Sequence, residues 1–250
     1  MNACVKPCAK AVIYIVLSCI CAFAMAGAAY LDVETGLKIN LFDITAKVII
    51  MAGIFAYASQ QDAPMNSPGC SFFTPWLLVA LIPALTNTVN TFCIPNCYPG
   101  TAEAFNIVAI MFTTAAWEEM YFRYVGRALF EKDGRYSIGA VVLLALTFGV
   151  PHLINIFFYN SVYVLIQFIS ASMAGVFWLA LYRHTGSLWM TITGHFFQNF
   201  MAVVFQTFTT AEYFAEQTAD RPGFLLTILC SVMEFAVGVW ILKKYKYLAK

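Results

Sequence analysis

Long apolar runs alternate with short polar stretches along this chain, and the pattern predicts eight membrane-crossing helices in an all-α bundle. The first run, residues 11–31, is uncharged for long enough to cross about 30 Å of hydrocarbon at about 1.5 Å per residue. Further runs follow at about 44–58, 72–92, 104–130, 137–159, 162–182, 187–208 and 224–242, separated by polar connections such as 32–40, 60–71, 93–101 and 209–223. Pro75 and Pro83 fall inside the third run, which membrane bundles tolerate because neighbouring helices satisfy the freed backbone groups. No internal repeat, low-complexity tract or soluble domain interrupts the series, so residues 1–250 read as one integral-membrane domain with a motif core at about 104–208.

Composition agrees with the pattern. The chain is 61% hydrophobic and only 11% charged, against about 25% charged residues in ordinary soluble proteins. Its 14 Lys and Arg nearly balance its 13 Asp and Glu, so net charge points to no partner; the apolar composition makes the lipid bilayer the expected one, and no nucleic-acid partner is expected. An even number of spans puts both termini on one side. Lys6, Lys10, Arg123, Arg127, Lys132, Arg135, Arg183 and the tail lysines share that side, against Lys38, Lys47 and Arg221 on the other, and the positive-inside rule makes the richer side cytoplasmic. Ala24-Met25-Ala26 has the form of a signal-peptidase site, but an uncleaved first helix fits this topology better. Of the eight cysteines, most lie in or beside apolar runs as small hydrophobes. Cys93 and Cys97 bracket a turn-rich loop on the outer side, where either a disulfide or free thiols fit.

Charge inside the fourth run alters the picture. Trp117-Glu118-Glu119-Met120-Tyr121-Phe122-Arg123 places three charged groups at the end of the apolar stretch 104–116, and each would cost about 2.5–3.5 kcal/mol at the centre of a spanning helix. Glu119 and Arg123 are spaced i, i+4 and share a face, so an ion pair is the plain reading for that acid. Glu118 projects about 100° away and is offered no such cation. A buried acid without a cation suits a general base near neutral pH, so Glu118 is read as the chemical carboxylate and Glu119 as the structural one.

Two further polar clusters interrupt the apolar pattern. Phe148-Gly149-Val150-Pro151-His152 lies in the fifth run, with Pro151 able to kink the helix, Phe148 as a packing wall and Asn155 one turn on, able to orient the ring. His195-Phe196-Phe197-Gln198-Asn199 lies in the seventh, where the i, i+4 spacing stacks an imidazole and a carboxamide on one face. A hydrogen-bonded core histidine and a helix–helix polar clasp are the structural alternatives. His184, beside Arg183 in a cytoplasmic turn, reads as a solvated loop residue.

Glu-Glu-x-x-x-Arg, Phe-x-x-x-His and His-x-x-x-Asn, in that order on successive spans, resemble the CAAX prenyl protease and bacteriocin-processing family of intramembrane proteases, also called the Abi family. The resemblance covers about residues 115–199 and includes the turn Gly186-Ser187-Leu188-Trp189. It implies an endopeptidase in which Glu118 and His152 activate water, His195 and Asn199 hold the developing oxyanion, and Glu119 and Arg123 support them. It also implies a protein or peptide substrate, with or without a lipid, cleaved near its C-terminus in a cavity open to the cytoplasm. A compact chain of this kind is more like the prokaryotic members, which implies the plasma membrane of a prokaryote.

Depth along the helices is consistent for two groups. Glu118 lies about 13 Å from Arg127 and His195 about 13 Å from Gly186, whereas His152 lies about 22 Å from Ser137, unless helix five begins inside the cytoplasm or Pro151 bends it back. No cofactor is expected. The nearest rival is a zinc hydrolase using Glu118, His152 and His195 as ligands, although no HExxH motif is present and a metal-free site explains Asn199 better. The rival from another class is a non-enzymatic membrane immunity or transport protein whose buried acids carry protons or clasp helices.

Overall fold

The computed structural model describes residues 7–36, 39–61, 65–66, 75, 77–83, 101–157, 161–208 and 221–249. Helix α1 spans Pro7–Thr35 and α2 Leu41–Ala58. Helix α3 (Thr101–Glu119) passes through a π-helical turn (Met120–Val125) into the short α4 (Gly126–Phe130). Helix α5 (Ile138–Gly149) tightens into a 3-10 helix (Val150–Phe157), and α6 (Ser161–Thr185), α7 (Leu188–Phe208) and α8 (Arg221–Lys244) complete the order. Residues 77–83 are also helical. Among the described residues there is no strand beyond isolated bridges, Lys132 with Arg135 and Tyr136 with Leu248.

Among the described residues, four helical stretches are long and apolar enough to cross a membrane: Cys8–Thr35, Leu41–Ala58, Ile138–Phe157 and Ser161–Thr185. Most of the third predicted run lies outside the described residues, as do Cys70, Cys93 and Cys97, while Cys8, Cys19, Cys21 and Cys230 are free thiols. The described part of that run packs its Ala80 beside Phe177, Trp178 and Met190.

Two predicted helices are less regular than the sequence suggested. The fourth does not run as uninterrupted α-helix to residue 130, because the π turn begins directly after Glu119. A π turn adds a residue to the helical repeat and loosens its carbonyls, and it needs outside support to persist. Helix α1 supplies it. Tyr14 stacks face to face on Tyr121 with ring centroids 4.9 Å apart, its hydroxyl donates to the Phe122 carbonyl at 3.5 Å, and the Tyr121 hydroxyl donates to the Tyr14 carbonyl. The fifth helix changes type at Val150, one residue before Pro151, because proline cannot donate the next α-helical hydrogen bond.

Helices in lipid gain little from apolar burial, so close backbone approach decides how they pack. Gly149 is such a contact: an added Cβ would lie 2.2 Å from Ser172 Oγ and 2.8 Å from the Phe168 carbonyl oxygen of α6. Gly238 does the same for α8, where a Cβ would lie 2.8 Å from the Phe177 Cα. Helix ends are capped by side chains. Ser137 Oγ accepts from the Ala140 amide at 3.1 Å, and Asn66 Oδ1 accepts from the Leu188 amide at 2.7 Å, fixing the start of α7. The buried Asp32 of α1 accepts from the amides of Phe42 and Asp43, both at 2.9 Å, and so caps α2.

At the end carrying the chain's C-terminus, the turn 131–136 and the tail are tied together. The Tyr136 amide donates to the Tyr247 carbonyl and the Ala249 amide to the Tyr136 carbonyl, both at 2.8 Å. Glu131 lies 3.0 Å from Arg183 and 3.4 Å from Arg127, and the Arg183 guanidinium sits over the Tyr247 ring. Burial pushes the Tyr136 hydroxyl well above its ordinary value, with the Glu131 carboxylate adding to the effect. His184 belongs to this clasp rather than to open solvent: it is half-buried, with its ring centroid 4.3 Å from that of Tyr245.

Candidate active site

The two acids at the end of α3 occupy different surroundings. Glu119 is fully buried and accepts from Arg123 through Nε at 3.0 Å and Nη2 at 3.2 Å, the ion pair that the i, i+4 spacing predicts. Its Oε1 also lies 2.9 Å from Nδ1 of His195, on α7. Arg123 is itself fully buried, and its guanidinium carbon stands 4.3 Å from the centroid of Phe148, whose π face offsets part of the desolvation. Glu118 is only 6% exposed, and its neighbour is not the arginine: its Oε2 lies 3.5 Å from Nε2 of His195.

His195 therefore sits between the two carboxylates. Its imidazole stacks on Trp178 of α6, with centroids 5.6 Å apart and planes 21° from parallel, and meets Phe148 edge-on at 5.8 Å. Two carboxylates and two aromatic walls confine the ring before a substrate arrives. The i, i+4 spacing pairs Glu119 with Arg123 alone; the structure adds the bridge through His195 and the Trp178 wall. Residues far apart in the chain carry no spacing signal for such contacts.

His152 lies on the 3-10 segment, with its ring centroid 6.0 Å from that of Phe148. Phe148 thus contacts both histidines and the arginine. His152 is within electrostatic reach of Glu118 and His195. Its Nδ1 is buried without a well-formed hydrogen bond among the described residues. Asn155 does not orient this ring, because its amide donates to Gln167 Oε1 at 2.8 Å, tying the 3-10 segment to α6. Asn199 lies half-buried one turn beyond His195 on α7. Glu118, Glu119, Arg123 and His195 are thus in direct contact, with His152 across the Phe148 ring and Asn199 a turn along.

Chemically, the arrangement offers an acid that is not paired with the arginine, two imidazoles and a carboxamide. Among the described residues no three His, Cys, Asp or Glu side chains gather as a metal-holding group, and Nδ1 of His195 is already occupied by Glu119.

Residues 100–201 match the protein family described as Type II CAAX prenyl endopeptidase Rce1-like. The matched segment begins with α3, ends within α7 and contains every residue of the three motifs. No curated protein and no solved structure matches the chain.

Proposed function

We propose that this chain, which matches the Rce1-like type II CAAX prenyl endopeptidases over residues 100–201, is an intramembrane endopeptidase cleaving a peptide bond near the C-terminus of a protein or peptide substrate. The observation that carries this reading is the unequal pairing of the two acids. Glu119 is bound to Arg123, whereas Glu118 is buried beside an imidazole and free of the arginine.

In the proposed reaction Glu118, with His152, takes a proton from water, and the resulting hydroxide attacks the carbonyl carbon. Negative charge then builds on the carbonyl oxygen, where His195 and Asn199 donate hydrogen bonds. For Nε2 of His195 to donate while Nδ1 donates to Glu119, the ring must carry both protons, and Glu119 supplies the counter-charge. Arg123, paired with Glu119 through two hydrogen bonds, fixes it for that role. Collapse of the tetrahedral adduct breaks the C–N bond, the proton held by Glu118 passes to the leaving amine, and a new carboxylate and amine are released. The substrate reaches the site from the cytoplasmic side of a prokaryotic plasma membrane and is lipidated or not.

The proposed mechanism uses no metal. Protein reconstituted in bilayer discs is expected to cleave a C-terminal peptide library at an unchanged rate after strict chelation, as followed by mass spectrometry of the products. Loss of cleavage on chelation, restored by zinc, would overturn the metal-free mechanism.

A further inference from the structure

Glu234 is a third buried carboxylate near the site, and the mechanism above does not use it. It is 2% exposed in the middle of α8, and one of its oxygens accepts from Nε2 of Gln198 on α7 at 2.8 Å. An acid at this depth is costly unless it is paired, and its cost falls on whatever holds the pair together. Gln198 lies three residues after His195 and one before Asn199, so all three occupy adjoining positions on one side of α7. The imidazole of His195 is within electrostatic reach of Glu234.

The two helices joined by this bond are supported differently. Helix α8 is seated on α6, where Gly238, one turn after Glu234, lets it approach the Phe177 backbone. Helix α7 is seated on α3 on its other side, whereas between α7 and α8 the packing is sparse among the described residues, so the Gln198–Glu234 bond is what ties the α8-facing side of α7.

We infer that Glu234 is a positioning residue of the proposed active site: by holding Gln198 from α8, it sets the rotation of α7 that keeps His195 and Asn199 aimed at the reacting carbonyl. The inference rests on the proposed hydrolysis for its kinetic consequence and on the geometry of His195 for its structural one. Glu234 touches no reacting atom in this account.

The test uses full-length protein in bilayer discs with Glu234→Leu, Glu234→Gln and the exchange Gln198→Glu with Glu234→Gln. Misaiming by about an ångström costs roughly 10²-fold, so Glu234→Leu is expected to lower kcat about 10–100-fold with KM within about twofold. Glu234→Gln, which keeps an acceptor for Gln198, and the exchanged pair are expected to recover kcat to within about threefold of wild type. A second readout does not depend on activity. The chain has 3 histidines, so ring-labelled histidine gives three resolvable NMR signals. Glu234→Leu is expected to move that of His195 and leave that of His184 unchanged. A His195 signal and kcat both unaltered in Glu234→Leu would overturn the inference, as would failure of both the Gln and exchanged variants to recover. Wild-type protein that cleaves nothing, with the His195 signal still moved by Glu234→Leu, would defeat the proposed hydrolysis and leave the positioning role standing.

Discussion

Glu118→Gln is expected to lower kcat for peptide cleavage by about 10²–10⁴-fold, the usual contribution of a general base, while leaving the protein folded and its melting temperature near that of wild type. The expectation of an intact fold follows from the surroundings of this side chain. Glu118 makes no bond to Arg123, and its contact with His195 at 3.5 Å is long for a hydrogen bond. An amide of the same shape fits the space and cannot take a proton from water. Cleavage of the C-terminal peptide library, read beside circular dichroism and thermal unfolding, checks both halves. A non-enzymatic membrane protein would retain its function in this variant as long as its helices remain packed.

Arg123→Leu is expected to act on stability first. Removing one partner of a buried pair leaves the other charged and uncompensated, which costs about 3–5 kcal/mol. Here the abandoned group is Glu119, fully buried, with only His195 remaining beside it. The Phe148 ring would also lose the guanidinium that covers it. Unfolding in mild detergent should show the loss directly. Replacing Glu119 and Arg123 together by Leu should recover part of it, because no isolated charge then remains. If Arg123→Leu unfolds as wild type does, Glu119 is not held as described.

Much of this was legible in the sequence because intramembrane charge is costly. The cost of Glu118, Glu119 and Arg123 in an apolar run marked them, and helical spacing alone paired Glu119 with Arg123. The apolar runs located the described helices, since their length and composition are set by hydrocarbon thickness rather than by tertiary contacts. What escaped was of two kinds. Contacts between distant segments have no local signal, and the His195 bridge between the acids, the Trp178 wall and the Tyr14 support of the π turn are of that kind. Glu234 is different. It is an acid inside the apolar run 224–242, and the rule that singled out Glu118 applies to it equally. Spacing alone makes Asn155 able to reach His152, but its amide donates instead to Gln167 on the neighbouring helix.

The central claim is that the buried acid at Glu118 activates water to split a peptide bond. It is tested most directly by single-turnover cleavage in heavy-oxygen water, with wild-type protein and Glu118→Gln compared in the same bilayer discs. The account predicts that wild type releases a fragment whose new C-terminal carboxylate carries one oxygen from the solvent, and that the variant releases almost none. Equal release by the two proteins, or no cleavage by wild type across the library, would contradict it.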